Sequence, residues 1–111
     1  MRAEPKYLYL TTTGRRSGRP RRIEIWFTRH EGRYYLVAER GLRARWVQNL
    51  LADPVVRVRV GARRFRARAR VVVASRDRGL VRTVRRLSEA KYGWGAGVVV
   101  EIAPPRRAAG G

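Results

Sequence analysis

The residues best equipped for chemistry lie together near the start of the chain, in Leu-Thr-Thr-Thr-Gly-Arg-Arg-Ser-Gly-Arg-Pro-Arg-Arg, Leu10 to Arg22. Three hydroxyls end an apolar, aromatic run, two glycines punctuate a turn, and five arginines crowd between Arg15 and Arg22. Each guanidinium offers a planar fork of donors that matches two oxygens of a phosphate or carboxylate. Hydroxyls and turn N–H groups can supply further donors, and glycine lets the backbone approach closely. The chemistry is that of an anion trap. The spacing rules out two nucleotide signatures, since no Gly-Lys-Ser/Thr follows the glycines and no Gly-x-Gly-x-x-Gly opens a helix. The same residues also suit a polar hairpin loop with solvated arginines, so at this level both readings stand.

Other reactive groups are scarce. The chain has no cysteine, which excludes disulfides, thiol nucleophiles and cysteine–zinc sites. His30 is the only histidine and sits beside Glu31-Gly32, in a predicted turn, a poor setting for a Ser-His-Asp triad. A two-histidine metal motif is impossible. An enzyme of this composition draws its difficult chemistry from a bound cofactor. The net charge of +19 and pI near 11.9 favour anionic partners. Yet only Lys6 and Lys91 of the 27 basic residues are lysine, a skew that codon use in a GC-rich genome also produces.

These groups must be held by one domain, residues 1–111, with a core but little to spare. The chain is 44% hydrophobic, and no apolar run approaches the ~20 residues of a membrane span. Its start, Met-Arg-Ala-Glu-Pro-Lys-Tyr, lacks a signal-peptide core, which places the protein in the cytoplasm. Alternation predicts strands at Tyr7–Thr12, Arg21–Arg29 and Tyr34–Glu39, the last two joined by a turn at His30-Glu31-Gly32-Arg33. On the second strand Ile23, Ile25 and Phe27 share one face, with Glu24, Trp26 and Thr28 on the other. Leu42, Trp46 and Leu50, flanked by Val47 and Leu51, form a helical stripe over about 42–52 that Asp53-Pro54 ends. Val56–Val60 and Phe65–Val71, turning at Gly61-Ala62, form a hairpin with one apolar and one basic face. A second helix, about 76–91, carries Leu80, Val81, Val84 and Leu87, with Ser75 as its N-cap and Asp77 favourably placed in its first turn. Val98–Ile102 is a last strand, so residues 7–102 are ordered and 103–111 form a frayed tail. The order β-β-β-α-β-β-α-β gives a mainly β (α+β) fold, a six-stranded, mostly antiparallel barrel with two rim helices.

With that pattern laid out, three blocks carry a family resemblance: Leu10 to Arg21, the helix end Trp46-Val-Gln-Asn-Leu-Leu-Ala-Asp-Pro54, and the valine strand Val56–Val60 leading to Gly61. From about Tyr7 to Ile102 the chain resembles the deazaflavin-dependent nitroreductases, also called coenzyme F-420-dependent quinone reductases. These are FMN-binding-like split β-barrels related to the pyridoxamine-phosphate-oxidase-like flavoproteins. The resemblance implies a homodimer that reduces a small-molecule acceptor, such as a quinone, enone or nitro compound, with hydride from reduced deazaflavin. It assigns the coenzyme's phosphate and acidic tail to Arg15, Arg16 and Arg21, to the hydroxyls of Thr12, Thr13 and Ser17, and to Gly14. It places Ala38, Glu39, Arg40 and Gly41 along the ring, with Trp46 and Asn49 bracing the helix behind; on the residues alone, a plain core aromatic is the favoured reading of Trp46. Tyr92, beside Lys91, is the candidate proton donor, and a cap over the core is the alternative for it. FMN is the alternative cofactor.

Two rivals remain open on the residues alone. A cofactor-binding barrel could hold a flavin or deazaflavin without turnover. A basic stripe of Arg57, Arg59, Arg66, Arg68 and Arg70, with Tyr7, Tyr9 and Trp26 as stacking platforms, would suit nucleic acid, the least favoured reading because no recognition motif accompanies it.

Overall fold

In the computed structural model, which describes residues 4–105, seven strands form one antiparallel sheet curled into a split barrel. The strands are β1 (Tyr7–Thr13), β2 (Pro20–Trp26), β3 (Thr28–His30), β4 (Arg33–Ala38), β5 (Val55–Val60), β6 (Arg63–Val71) and β7 (Val98–Ala103). A 3-10 turn at Gly41–Arg43 leads into helix α1 (Arg45–Ala52), and α2 (Arg78–Tyr92) connects β6 to β7. The strand order is β2-β1-β5-β6-β7-β4-β3.

The seventh strand corrects the sequence reading. The predicted strand Arg21–Arg29 divides at Phe27: the part before it pairs with β1 and the part after it with β4. Its halves are the two edges of the sheet, so one residue joins the edges and curls the sheet toward closure. A backbone changing partners leaves polar groups without a ladder, and buried ones must be paired. Helix α2 supplies the partners. The Tyr92 hydroxyl accepts the Phe27 N–H at 2.9 Å, and its Oη also lies 2.8 Å from the Phe27 carbonyl and 2.7 Å from that of Lys6. The Lys91 ammonium donates to the Phe27 and Pro5 carbonyls and rests over the Phe27 ring. Thr28, expected on the open face, is buried beyond this switch.

Alternation elsewhere survives within a residue or two. The β3–β4 hairpin has a two-residue turn at Glu31 (φ 49°) and Gly32 (φ 78°), both positive as the twist of a tight hairpin requires. Leu8, Leu10, Phe27, Leu36, Val56, Val58, Val100 and Ile102 fill the barrel with Val47 and Leu50 of α1. Tyr35, Val72 and Val99 face the other way and pack under Val81 and Val84 of α2. Strands β4 and β7 are therefore covered on both faces, which explains the unbroken valine run in β7.

The helices differ from expectation at their ends. The stripe begins as a 3-10 turn, and Leu42 and Leu51 are both 56% exposed, so Val47, Asn49 and Leu50 form the buried side of α1. Ser75 does not cap α2; Asp77 occupies that position without a side-chain cap and lies 3.8 Å from Arg70. Ala103, assigned to the tail, closes β7, while 106–111 lie outside the described residues.

One carboxylate is buried on the α2 side. Glu101, 3% exposed, accepts from Tyr35 (2.9 Å) and Arg70 (2.8 and 3.2 Å), with Arg33 at 3.2 Å. Burial works to raise its pKa, but the bonds from Arg70, Tyr35 and Arg33 outweigh it and hold the group below the ordinary carboxylate value. Burial first, and then the bond to Glu101, push the Tyr35 phenol from 10.0 to about 12.

Candidate functional site

The β1–β2 loop owes its shape to short-range bonds. Gly14 N–H donates to the Arg19 carbonyl and Gly18 N–H to the Gly14 carbonyl, both at 2.8 Å, while the Ser17 hydroxyl accepts the Arg19 N–H at 3.1 Å. A Cβ on Gly14 would stand 2.7 Å from Ser17 Oγ and 3.2 Å from the Arg19 carbonyl oxygen. The close approach at Gly14 is thus the loop's own. Gly18 takes the positive φ of 72° that reverses the chain.

Asn49 of α1 ties this loop down. It is 6% exposed; its carbonyl oxygen accepts the Arg15 N–H at 3.1 Å, and its amide donates to Thr12 Oγ1 at 3.2 Å. A helix residue far along the chain therefore fixes where the arginines begin. Between the loop and α1 lies a cleft of about 880 Å³, lined by Thr12, Gly14, Arg15, Arg16, Ser17 and Arg21 from the loop side and by Arg45, Trp46 and Asn49 from the helix. Among the described residues, no carboxylate lies within ion-pair distance of Arg15, Arg16 or Arg21, and no acceptor takes the N–H groups of Arg16 and Ser17. Positive charge and free donors converge on a concave wall, the arrangement that holds an anion.

A second cleft, about 940 Å³, adjoins the first and shares Arg45 and Trp46 with it. Its walls are Trp26 and Ile25 from β2, Val37 and Ala38 from the end of β4, Glu39, Arg40 and Arg43 from the connection to α1, and Trp94 from the loop after α2. All three tryptophans of the chain line it. Trp26 is held flat against Tyr92, with ring centroids 4.4 Å apart and planes 3° from parallel. A planar, partly apolar molecule fits here, with its anionic part reaching across Trp46 into the loop.

The structure brings most of the expected site residues together. Thr12, Gly14, Arg15, Arg16, Ser17, Arg21, Trp46 and Asn49 line the anionic side, and Ala38, Glu39, Arg40 and again Trp46 the aromatic side. Three stand apart. Thr13 points to the other face of β1 and lines neither cleft, only a third hollow with Thr12, Asp53 and Val55. Gly41, with φ 59° and a Cβ position 3.2 Å from Val98, turns the chain behind the wall. Tyr92 is on neither lining, because its hydroxyl is held by the Phe27 and Lys6 backbone and its ring backs Trp26. Trp94, Arg43 and Val37 are not among the expected site residues; for Trp94 the available signal was an aromatic set between two glycines, Gly93 and Gly95.

Comparison with known proteins bears on family and fold. Residues 1–101 match the family model described as F420H(2)-dependent quinone reductase. An F420H(2)-dependent quinone reductase of Mycobacterium tuberculosis is 37% identical over 71 residues, covering 61% of this chain and 48% of that protein. The chain thus spans about half the length of the curated relatives it matches. Among solved structures, an F420-H2 dependent reductase superposes with a TM-score of 0.69 at 23% identity, over 88% of this chain and 93% of its own. The heme storage protein of Vibrio cholerae superposes at 0.71 and 22%, over 94% and 84%. At such identities these two establish the split-barrel fold. With nearly the whole chain matching the family model, the protein belongs to the F420H(2)-dependent quinone reductase family.

Proposed function

We propose that the chain binds coenzyme F-420 across the two clefts and, as a homodimer, reduces a quinone-type acceptor with it. The observation that carries the reading is the joining of two unlike clefts at Trp46: the arginine loop with its free N–H groups on one side, and the cleft that all three tryptophans line on the other. The residues fit the coenzyme's phosphate, because the loop is cationic, concave and clear of nearby carboxylates. Arg15, Arg16 and Arg21, with the Ser17 hydroxyl, hold that anionic side, and buried Thr12 supports it through its bond to Asn49. Ala38, Glu39, Arg40 and Trp46 border the ring. When bound in its reduced form, the coenzyme supplies hydride. The chain's own residues orient the two reactants between aromatic walls and thin the water around them. Arg40 and Arg43 line the same cleft and stabilise negative charge developing on an acceptor oxygen. Tyr92 positions Trp26, which leaves solvent to supply the proton.

Because every tryptophan lines the ring-side cleft, intrinsic fluorescence reports occupancy directly. Titration with oxidised coenzyme F-420 is expected to quench it saturably at micromolar concentration, and titration with FMN more weakly. Quenching by FMN alone would reassign the cofactor, and quenching by neither would sink the proposal. Oxidation of the reduced coenzyme by menadione then separates an enzyme from a carrier.

A further inference from the structure

Beyond the two clefts, the outside of the barrel carries a second concentration of charge. The registers of β2, β1, β5 and β6 align two rows of outward side chains across the sheet. One row runs Arg22–Thr11–Arg57–Arg66 and the next Glu24–Tyr9–Arg59–Arg64. All of these but Glu24, which turns to the ring-side cleft, line a groove of about 580 Å³ on the outside of the barrel, and Arg22 is shared with the loop cleft. Arg57 stands directly opposite Arg66, and Arg59 opposite Arg64; like charges in such cross-strand pairs destabilise a sheet. Among the described residues none of these five arginines has a carboxylate within 4.0 Å. Arg70 does, through Glu101 and Asp77, and so drops out of the stripe read from the sequence.

We propose that this groove, which meets the loop cleft only at Arg22, is a second anion site and that it takes the backbone of a single-stranded nucleic acid. Strand geometry places neighbouring guanidinium stems about 4.8 Å apart across the sheet and about 6.7 Å apart along it. An extended phosphodiester chain can follow that lattice. The Arg22 guanidinium carbon sits 4.2 Å from the centroid of the Tyr9 ring, which places an aromatic and a guanidinium plane between the charges for a base to stack on. A groove walled by guanidiniums accepts one strand; reading a duplex requires an element that protrudes into its own groove. The cost of opposing Arg57 to Arg66 and Arg59 to Arg64 is relieved when phosphates lie between them.

The test is fluorescence anisotropy of a labelled oligothymidylate of about 12 nucleotides, a length within single-barrel site sizes, against the full chain from 50 to 200 mM salt. With five phosphate contacts the affinity falls about 100-fold over that range. Arg59→Thr/Arg64→Thr and Arg57→Thr/Arg66→Thr each lower the slope of log affinity against log salt by about 1.4. Arg82→Gln/Arg86→Gln, which removes equal charge from the exposed side of α2, leaves the slope near the parent value. Equal losses in that control would show diffuse attraction and overturn the proposal. So would binding to phosphatidylserine vesicles with none to the oligonucleotide. The threonine variants also carry a reading independent of any ligand. Relief of like-charge repulsion holds or raises their melting temperature at low salt, and a fall would show that the arginines serve the sheet itself. Coenzyme titration is unchanged in these variants, so this proposal and the previous one fail separately.

Discussion

Asn49→Ala tests how the anionic side of the site is held. The side chain makes two bonds, from the Arg15 N–H and to Thr12 Oγ1, each worth about 1 kcal/mol net. Their loss has unequal consequences. Arg15 is exposed, so its N–H finds water, whereas Thr12 is 1% exposed and keeps an unpaired hydroxyl costing a further ~1–2 kcal/mol. Asn49→Ala is therefore expected to destabilise the chain by about 3–4 kcal/mol, shown by urea unfolding as a lower midpoint at unchanged slope. Thr12→Val in the same background removes the orphaned hydroxyl and recovers about 1–2 kcal/mol, so the double-mutant cycle shows clear coupling. In the folded variant the loop loses its anchor, and coenzyme affinity falls at least about tenfold, about 1.4 kcal/mol. A loss under about 0.5 kcal/mol, or additivity with Thr12→Val, would refute the anchoring role.

Gly97→Ala forces a side chain onto a residue at φ 149° whose Cβ would press into the Ala38 carbonyl, so its unfolding midpoint falls by more than the ~1–3 kcal/mol of backbone strain. Gly18→Ala, at φ 72° with open space around it, shows the strain alone. On the alkaline side, the Tyr35 pKa is raised on folding, so its contribution is whole below pH 10 and is lost as pH climbs toward 12. The loss is up to about 3 kcal/mol, and Tyr35→Phe abolishes that limb of the stability profile. On the acid side, Glu101 has a lowered pKa, so its contribution is whole above about pH 4.3 and fades as pH falls through its folded value; Glu101→Gln flattens that decline in acid titration. Tyr92→Phe keeps the stack on Trp26 but costs about 1–2 kcal/mol through the lost bond to Phe27. Its turnover with reduced coenzyme keeps the parent pH profile, and a lost ionisation there would restore Tyr92 as proton donor.

What the sequence made legible was local. Apart from the strand that divides at Phe27, alternation located the strands within about two residues because inward and outward neighbours differ sharply, as in Val56–Val60 against Arg57 and Arg59. The anion loop was legible through composition, and Asn49 only through family likeness. Closure was not legible. Phe27 continues the apolar alternation of Ile23 and Ile25, so nothing local marks the residue where a strand leaves one edge for the other. Thr12 and Thr13 are chemically alike, and only the pleat buries one beside Asn49 at the cleft and leaves its neighbour half-buried outside it. Trp26 and Trp94 meet in one cleft from segments 68 positions apart, a juxtaposition decided by the path of α2.

That path also links the fold to the site. At Phe27 the switching backbone has an N–H and a carbonyl with no ladder partner, and the last turn of α2 supplies both through Tyr92 and Lys91. The same Tyr92 ring lies flat behind Trp26, the residue just before the switch and a wall of the cleft. Bringing the sheet edges together and setting the aromatic wall are therefore one packing event. A substitution that loosens the end of α2 acts on both: it frees the β2–β3 junction and lets Trp26 leave the cleft. The other half of the site is independent of this clasp, since Asn49 anchors the loop through α1, which packs on the barrel from elsewhere. Damage at α2 should then blunt the response to the ring while sparing the grip on the phosphate. Damage at Asn49 should do the reverse, and the two halves can be weighed separately in one protein.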